Sequence, residues 1–209
     1  MMVSALIEGA TEKGRLPLGG GVFIAVVGPS GAGKDTVIGY ARDRLSPGSG
    51  VIFVRRVITR ASDGSSEDHD TLTNEAFRQA DAAGAFALSW EAHGLRYGIP
   101  ANVDERIMAG EVAVANLSRA AIPALHRRYA NVMVVEITAP PAVRAERLAS
   151  RGREPQADVL ARLTRKAEVE ACGASVVTLD NGGPVEIAGE AFLALIRKAV
   201  AFADLSDAI

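Results

Sequence analysis

The stretch GPSGAGKDT, residues 28–36, combines glycines, a lysine and hydroxyl side chains at a spacing that can hold a polyphosphate. The pattern G-x-x-x-x-G-K from Gly28 to Lys34 follows an apolar stretch and precedes a helical pattern, as in phosphate-binding loops. Glycines let backbone N–H groups approach phosphate oxygens, and the following helix N-terminus adds positive potential. Lys34 can reach the β- and γ-phosphates. The predicted nucleotide contacts are Gly28, Pro29, Ser30, Gly31, Ala32, Gly33, Lys34, Asp35 and Thr36.

Asp35 departs from the usual loop, which has a serine or threonine hydroxyl for Mg²⁺ at this position. A carboxylate there repels phosphates unless a magnesium ion or an arginine lies between them. Thr36 offers a hydroxyl one position later. Two alternatives stay open: Asp35 and Thr36 bind magnesium, Asp35 through water, or Asp35 points away from the phosphates.

Strands alternate with helices along most of the sequence. This alternation predicts an α/β fold with a mainly parallel sheet and helices on both faces. Strands are predicted over 21–27, 51–54, 85–92, 112–116, 131–138 and 175–180. Helices are predicted over 34–45, from Thr73 to Gly84, and over 102–109, 140–152, 156–171 and 185–204. A further helix is predicted after the strand 112–116, and Pro123 must bend or delay it. The segment 93–98 is predicted as a tight turn, and 55–98 as an irregular, acceptor-binding insert.

The composition sets broad limits on function. A net charge of −2 gives no argument for a nucleic-acid or membrane partner, and no apolar run has the length to span a bilayer. Residues 1–20 are expected to be a flexible leader before one domain over 21–205, and the single Cys172 fits a reducing cytoplasm. Only four of the 23 basic residues are lysines. This bias indicates either a GC-rich genome or arginines that bind phosphates, and only position can separate the two.

The central segments are similar to those of guanylate kinases. Arg60 ends the segment RRVITR, and Trp90, Tyr97 and Gly98 lie in SWEAHGLRYG. In that family an arginine and a tyrosine at these places hold the acceptor phosphate. The resemblance covers about residues 22–200 and implies a P-loop NTPase fold of the nucleoside monophosphate kinase type. It also implies an acceptor-binding region at about 55–98 and a lid at about 148–157. Trp90 itself is expected to lie in the core and not to contact the ligand.

The chain also departs from guanylate kinases at the positions that read guanine. Ser89 stands where that family has a base-reading glutamate, and Ile99 stands where it has a serine or threonine. The second arginine expected after the T-x-R motif is missing. A site without these hydrogen-bonding groups loses discrimination for the base, so a different acceptor is expected.

A second family matches more of these segments. GPSGAGKDT, the EDH triplet at 67–69, FALSWEAHGLRYGI at 86–99 and NLSR at 116–119 resemble ribose 1,5-bisphosphate phosphokinases, whose loop also has aspartate after the lysine. The resemblance implies transfer of the γ-phosphoryl group of ATP, with Mg²⁺, to ribose 1,5-bisphosphate, which yields 5-phosphoribosyl 1-diphosphate in phosphonate breakdown. The implied partner is a small phosphorylated sugar, and the oligomeric state stays open. The implied acceptor residues are Arg60, Glu67, Asp68, His69, Ser89, His93, Arg96, Tyr97, Arg119 and Arg162.

Further residues are assigned by likeness to related kinases. Arg151 and Arg153 resemble lid arginines that close over the transferring group, and with Lys34 they form the predicted catalytic set. Asp180 and Asn181 end the last strand near the place where related kinases bind adenine. Two alternatives remain: a guanylate or other nucleoside monophosphate kinase, and a non-catalytic guanylate-kinase-like binding module.

Overall fold

A parallel five-stranded sheet forms the centre of the molecule in the computed structural model, which describes residues 16–59, 69–92, 94–150 and 176–206. The strand order is β2-β7-β1-β8-β9. All six residues of β1 are buried, which explains its uninterrupted apolar sequence. The bounds are β1 Val22–Val27, β2 Val51–Phe53, β7 Val112–Asn116, β8 Val132–Thr138 and β9 Val176–Asp180.

Helices cover both faces of this sheet. One core packs Ile24 and Val26 of β1 against α1 (Lys34–Arg42) and α6 (Val185–Ser206). The core on the other face includes residues of α3 (Asn102–Met108) and α4 (Ile122–Arg128). The predicted α/β fold is therefore confirmed. Of the helices in the described ranges, none combines the length and apolarity that crossing a bilayer requires.

A second sheet of four strands lies within the region predicted to be irregular. Its order is β4-β3-β6-β5. The strands are β3 Arg56–Ile58, β4 His69–Thr71, β5 Phe86–Ala92 and β6 Leu95–Pro100, and α2 is Asn74–Ala82. Strands β5 and β6 form an antiparallel pair, with Trp90 opposite Tyr97 and Leu88 opposite Ile99.

The prediction of a tight turn over 93–98 is wrong, because only one of the two glycines in this segment lies in a turn. Gly94 has a φ of 72°, which suits a turn. Gly98 lies inside β6, where a Cβ atom would come within 2.6 Å of the Phe86 ring. The second glycine therefore makes room for a neighbouring ring and does not bend the chain.

Several predicted boundaries are confirmed. Thr73 caps α2, and its hydroxyl oxygen accepts a hydrogen bond from the Ala76 amide at 3.1 Å. A 3₁₀ turn precedes α4, which has Pro123 in its first turn, and α5 (Pro141–Ala149) starts at a proline. The predicted helix over 156–171 lies outside the described residues. Within the predicted leader, Leu18 forms a parallel bridge with Tyr129.

Candidate active site

The glycine-rich loop joins β1 to α1. Gly28, Gly31 and Gly33 have φ values of 143°, 80° and 84°. A Cβ atom at Gly28 would lie 2.1 Å from the Ile137 carbonyl oxygen, and one at Gly33 would lie 2.4 Å from Asn181 Nδ2. These glycines are therefore needed for packing behind the loop as well as for its turn.

Asn181 supports the loop from the carboxyl end of β9. Its Nδ2 donates a hydrogen bond to the Ala32 carbonyl at 2.8 Å, and its backbone N–H donates to Thr138 at 2.7 Å. Asn181 is 2% exposed and Ala32 is fully buried. This asparagine was predicted beside adenine. Its amide nitrogen contacts the loop, and Asp180 is exposed and accepts a hydrogen bond from the Gly182 amide. Adenine binding by these two residues stays a prediction.

Helix α5 packs against the loop from a second direction. The Arg144 carbonyl oxygen would lie 2.8 Å from a Cβ atom at Gly31. Arg147 Nη1 lies 3.5 Å from the Ala32 carbonyl oxygen. Two arginines of α5, which precede the segment predicted to form the lid, are thus adjacent to the loop.

Lys34 begins α1 and folds back over the loop. Its Nζ donates to the carbonyl oxygens of Gly28 at 2.9 Å and Pro29 at 3.3 Å. The ammonium group therefore lies beside the loop, at the positively polarised N-terminus of the helix. Its contact with β- and γ-phosphates stays a prediction.

Asp35 is directed towards the end of β7. Its Oδ1 accepts a hydrogen bond from Asn116 Nδ2 at 2.9 Å, and Asn116 is 8% exposed. Thr36 is exposed on the first turn of α1. Within the described ranges, no group of three or more His, Cys, Asp or Glu side chains could hold a metal ion. Magnesium binding by Asp35 and Thr36 stays a prediction.

Tyr97 and Trp90 form a stacked pair on the second sheet, with ring centroids 5.3 Å apart. Trp90 also packs against the core, as predicted. The guanidinium carbon of Arg56 lies 5.9 Å from the centroid of the Tyr97 ring, and Arg56 is only 6% exposed. Arg56 was missed by sequence reasoning. The available signal was its position in the arginine pair that follows the predicted strand 51–54, because ligands bind at the carboxyl ends of parallel strands.

The other predicted acceptor residues in the described ranges have separate environments. Arg96 Nη2 forms an ion pair with Glu91 at 2.6 Å. Ser89 is exposed, and His69 lies on β4 opposite Arg56.

Arg119, also predicted to bind the acceptor, forms an ion pair with Glu136 of β8. Glu136 is in register with Val27, the residue before the loop. This carboxylate therefore holds Arg119 close to the loop. The remaining predicted residues, Arg60, Glu67, Asp68, His93, Arg151, Arg153 and Arg162, lie outside the described residues.

Curated relatives match the chain over most or all of its length. No family model matches the chain. The chain is 50% identical over 209 residues to the ribose 1,5-bisphosphate phosphokinase PhnN of Chelativorans sp. (strain BNC1), with 100% of both chains covered. It is 47% identical over 176 residues to the protein of the same name from Agrobacterium fabrum (strain C58), covering 84% of this chain and 96% of that relative.

Solved structures support the fold. A guanylate kinase from Anaplasma phagocytophilum superposes with a TM-score of 0.62 at 16% identity, covering 88% of each chain. A sugar kinase from Janibacter sp. HTCC2649 superposes with a TM-score of 0.52 at 20% identity, covering 87% of this chain and 97% of that one. These identities support the P-loop kinase fold alone, but the curated relatives match over most or all of their length. The chain therefore belongs to the ribose 1,5-bisphosphate phosphokinase family, a family of kinases.

Proposed function

We propose that this chain transfers the γ-phosphoryl group of ATP to the 1-phosphate of ribose 1,5-bisphosphate and thereby serves phosphonate breakdown. An oxygen of the 1-phosphate forms a bond to the γ-phosphorus. The bond between the γ-phosphorus and the β–γ bridging oxygen breaks, and ADP leaves with the electron pair. The products are 5-phosphoribosyl 1-diphosphate and ADP.

The environment of Ile99 is the observation that carries the proposal beyond the family name. Ile99 is fully buried and lies opposite Leu88 in the core of the second sheet. Ser89, opposite Gly98, is exposed. Neither of these two positions offers the buried hydrogen-bonding group that selection of a guanine base requires. An acceptor without a base suits such a site.

The chain's own residues supply positioning and charge. Backbone N–H groups of the loop and Lys34 bind the donor phosphates, and Asn181 fixes the loop from behind. Arg151 and Arg153 close over the transferring group and exclude water. A magnesium ion, when bound, neutralises charge on the β- and γ-phosphate oxygens. The accepting phosphate is already ionised at neutral pH, so no general base is needed.

A coupled ADP-release assay tests the proposal. Ribose 1,5-bisphosphate, GMP and AMP are offered separately with ATP and Mg²⁺, and the product is identified by the diphosphate signals in its ³¹P NMR spectrum. We expect turnover of the bisphosphate and its abolition by Lys34→Met. Turnover of GMP alone would show a guanylate kinase instead. Absence of turnover together with no rise in Tm on adding ATP would show a non-catalytic binding module.

A further inference from the structure

A cleft lies beside the phosphate-binding loop, between α1 and the segment that follows β2. Arg42, Arg55 and Arg56 line it together with Asp35 and Asn116, and its remaining walls are mainly apolar side chains of α1, β2 and β7. Three cationic groups and one carboxylate give the cleft a positive balance. Such a surface suits an anionic ligand that also has a carbon skeleton.

The cleft extends away from the loop along α1. Asp35 and Arg42 are seven positions apart and therefore share one face of the helix, separated by about 10 Å at 1.5 Å per residue. Asp35 is adjacent to Lys34, so one end of the cleft begins at the loop. The arginines attract a phosphate towards the part of the cleft that lies away from Asp35.

Arg56 connects the cleft to the second sheet. It lines the cleft, and its guanidinium lies over the Tyr97 ring, whose hydroxyl is a predicted acceptor contact. Burial of a guanidinium is costly, and its planar set of five donors suits recognition of phosphate oxygens. Arg55 is also paired with Asp70 at 2.9 Å, but both side chains are more than half exposed, so this pair contributes little.

We propose that this cleft binds the non-reacting 5-phosphate of the acceptor, with Arg56 as the main contact and Arg42 and Arg55 as supporting charges. The inference rests on the proposed function. A sugar bisphosphate carries its second phosphate one ring away from the reacting one, which must lie beside the γ-phosphate near Lys34. The apolar walls contact the ribose ring, and Asp35 accepts hydrogen bonds from ribose hydroxyls.

The test compares two acceptors that differ only in the 5-phosphate. Arg56→Met and Arg42→Met are assayed with ribose 1,5-bisphosphate and with ribose 1-phosphate. We expect Arg56→Met to lower kcat/KM for the bisphosphate by about 10- to 100-fold, the usual effect of losing a charged hydrogen bond. The low activity with ribose 1-phosphate should change less than about threefold. Arg127→Met, exposed on α4 and outside the cleft, is the control and should match the wild type.

Direct binding separates failure of this inference from failure of the proposed function. Calorimetry with ribose 5-phosphate, which needs no turnover, should give a lower affinity for Arg56→Met. If the wild type does not phosphorylate the bisphosphate, the proposed function fails, and the loss of ribose 5-phosphate binding still supports the cleft. Equal losses on both acceptors, or an unchanged affinity for ribose 5-phosphate, overturn the cleft. If Arg56→Met does not fold, the exposed Arg42→Met decides by the same criteria.

Discussion

Replacing Asn181 tests whether the loop owes its shape to support from β9. In Asn181→Ala the Ala32 carbonyl loses its 2.8 Å hydrogen bond, and this carbonyl belongs to a fully buried residue. The carbonyl keeps only its longer, 3.5 Å contact with Arg147 Nη1, and losing the main hydrogen bond of a buried polar group costs about 1–3 kcal/mol. We expect the free energy of unfolding, measured by urea titration, to fall by that amount.

The same energy limits the effect on nucleotide binding. If the loop must regain its native shape before ATP binds, and this step takes the full cost of about 1–3 kcal/mol, the KM for ATP rises by about 5- to 150-fold, because 1.4 kcal/mol corresponds to a factor of ten. A smaller rise in the KM means that other contacts in the free protein already compensate for part of the lost hydrogen bond. Because the loop and not the acceptor is affected, the KM for the acceptor should change far less.

Two further variants sharpen the Asn181 experiment. Asn181→Asp keeps the shape but directs a carboxylate oxygen at the Ala32 carbonyl, so both effects should exceed those of Asn181→Ala. Asp180→Asn, on the exposed neighbour, should stay within about 0.5 kcal/mol of the wild type. If Asn181→Ala changes neither the stability nor the KM for ATP, the loop does not depend on this support.

Three stability experiments address other residues. Arg144 is 9% exposed, and its Nε finds no acceptor in the described part of the chain. Arg144→Met should therefore raise the free energy of unfolding by about 1–3 kcal/mol, and a lower Tm than that of the wild type would contradict this. Burial and a hydrogen bond to Asp104 raise the pKa of Tyr129, so its contribution to stability is full below about pH 10 and is lost as the pH rises through the folded-state pKa. In urea titrations above pH 10, the free energy of unfolding should therefore fall less steeply with pH for Tyr129→Phe than for the wild type, by up to about 1.4 kcal/mol per pH unit. Equal slopes for the two proteins would refute this. Gly28→Ala should destabilise more than Gly48→Ala in thermal unfolding, because both positions have positive φ but only Gly28 has a carbonyl 2.1 Å from the added Cβ; equal losses would leave backbone conformation as the sole cause.

The loop and the central sheet were predictable because their signals are local. The motif from Gly28 to Lys34 and the apolar run before it lie within one short segment. Of the second sheet only β5 was predicted, because β3 pairs with a distant strand, Val57 opposite Gly98 and Ile58 opposite Tyr97. No periodicity in either segment reports such a pairing, and Gly94 and Gly98 suggested a turn where β6 lies.

Site residues were harder to predict because their roles depend on partners distant in sequence. The contact of Asp35 with Asn116 spans 81 positions, and that of Asn181 with Ala32 spans 149. The motif therefore identified Asp35 as unusual but could not determine its direction. Likewise, the arginine content left a GC-rich genome and phosphate binding as alternatives and could not show which arginines would bind.

Burial separates the two explanations for the arginine content. A GC-rich genome places arginine where lysine would serve equally, as at exposed positions such as Arg78, which pairs with Glu75 one turn away. It does not favour burying a guanidinium, which costs several kcal/mol whatever the codon. Among the described residues, the buried polar and charged side chains are Arg56, Asn116, Arg144 and Asn181. All four adjoin the loop or its cleft, so the cost of burying polar groups is concentrated where phosphates are proposed to bind. Composition bias therefore accounts for exposed arginines such as Arg78, but it does not account for the buried guanidinium groups of Arg56 and Arg144.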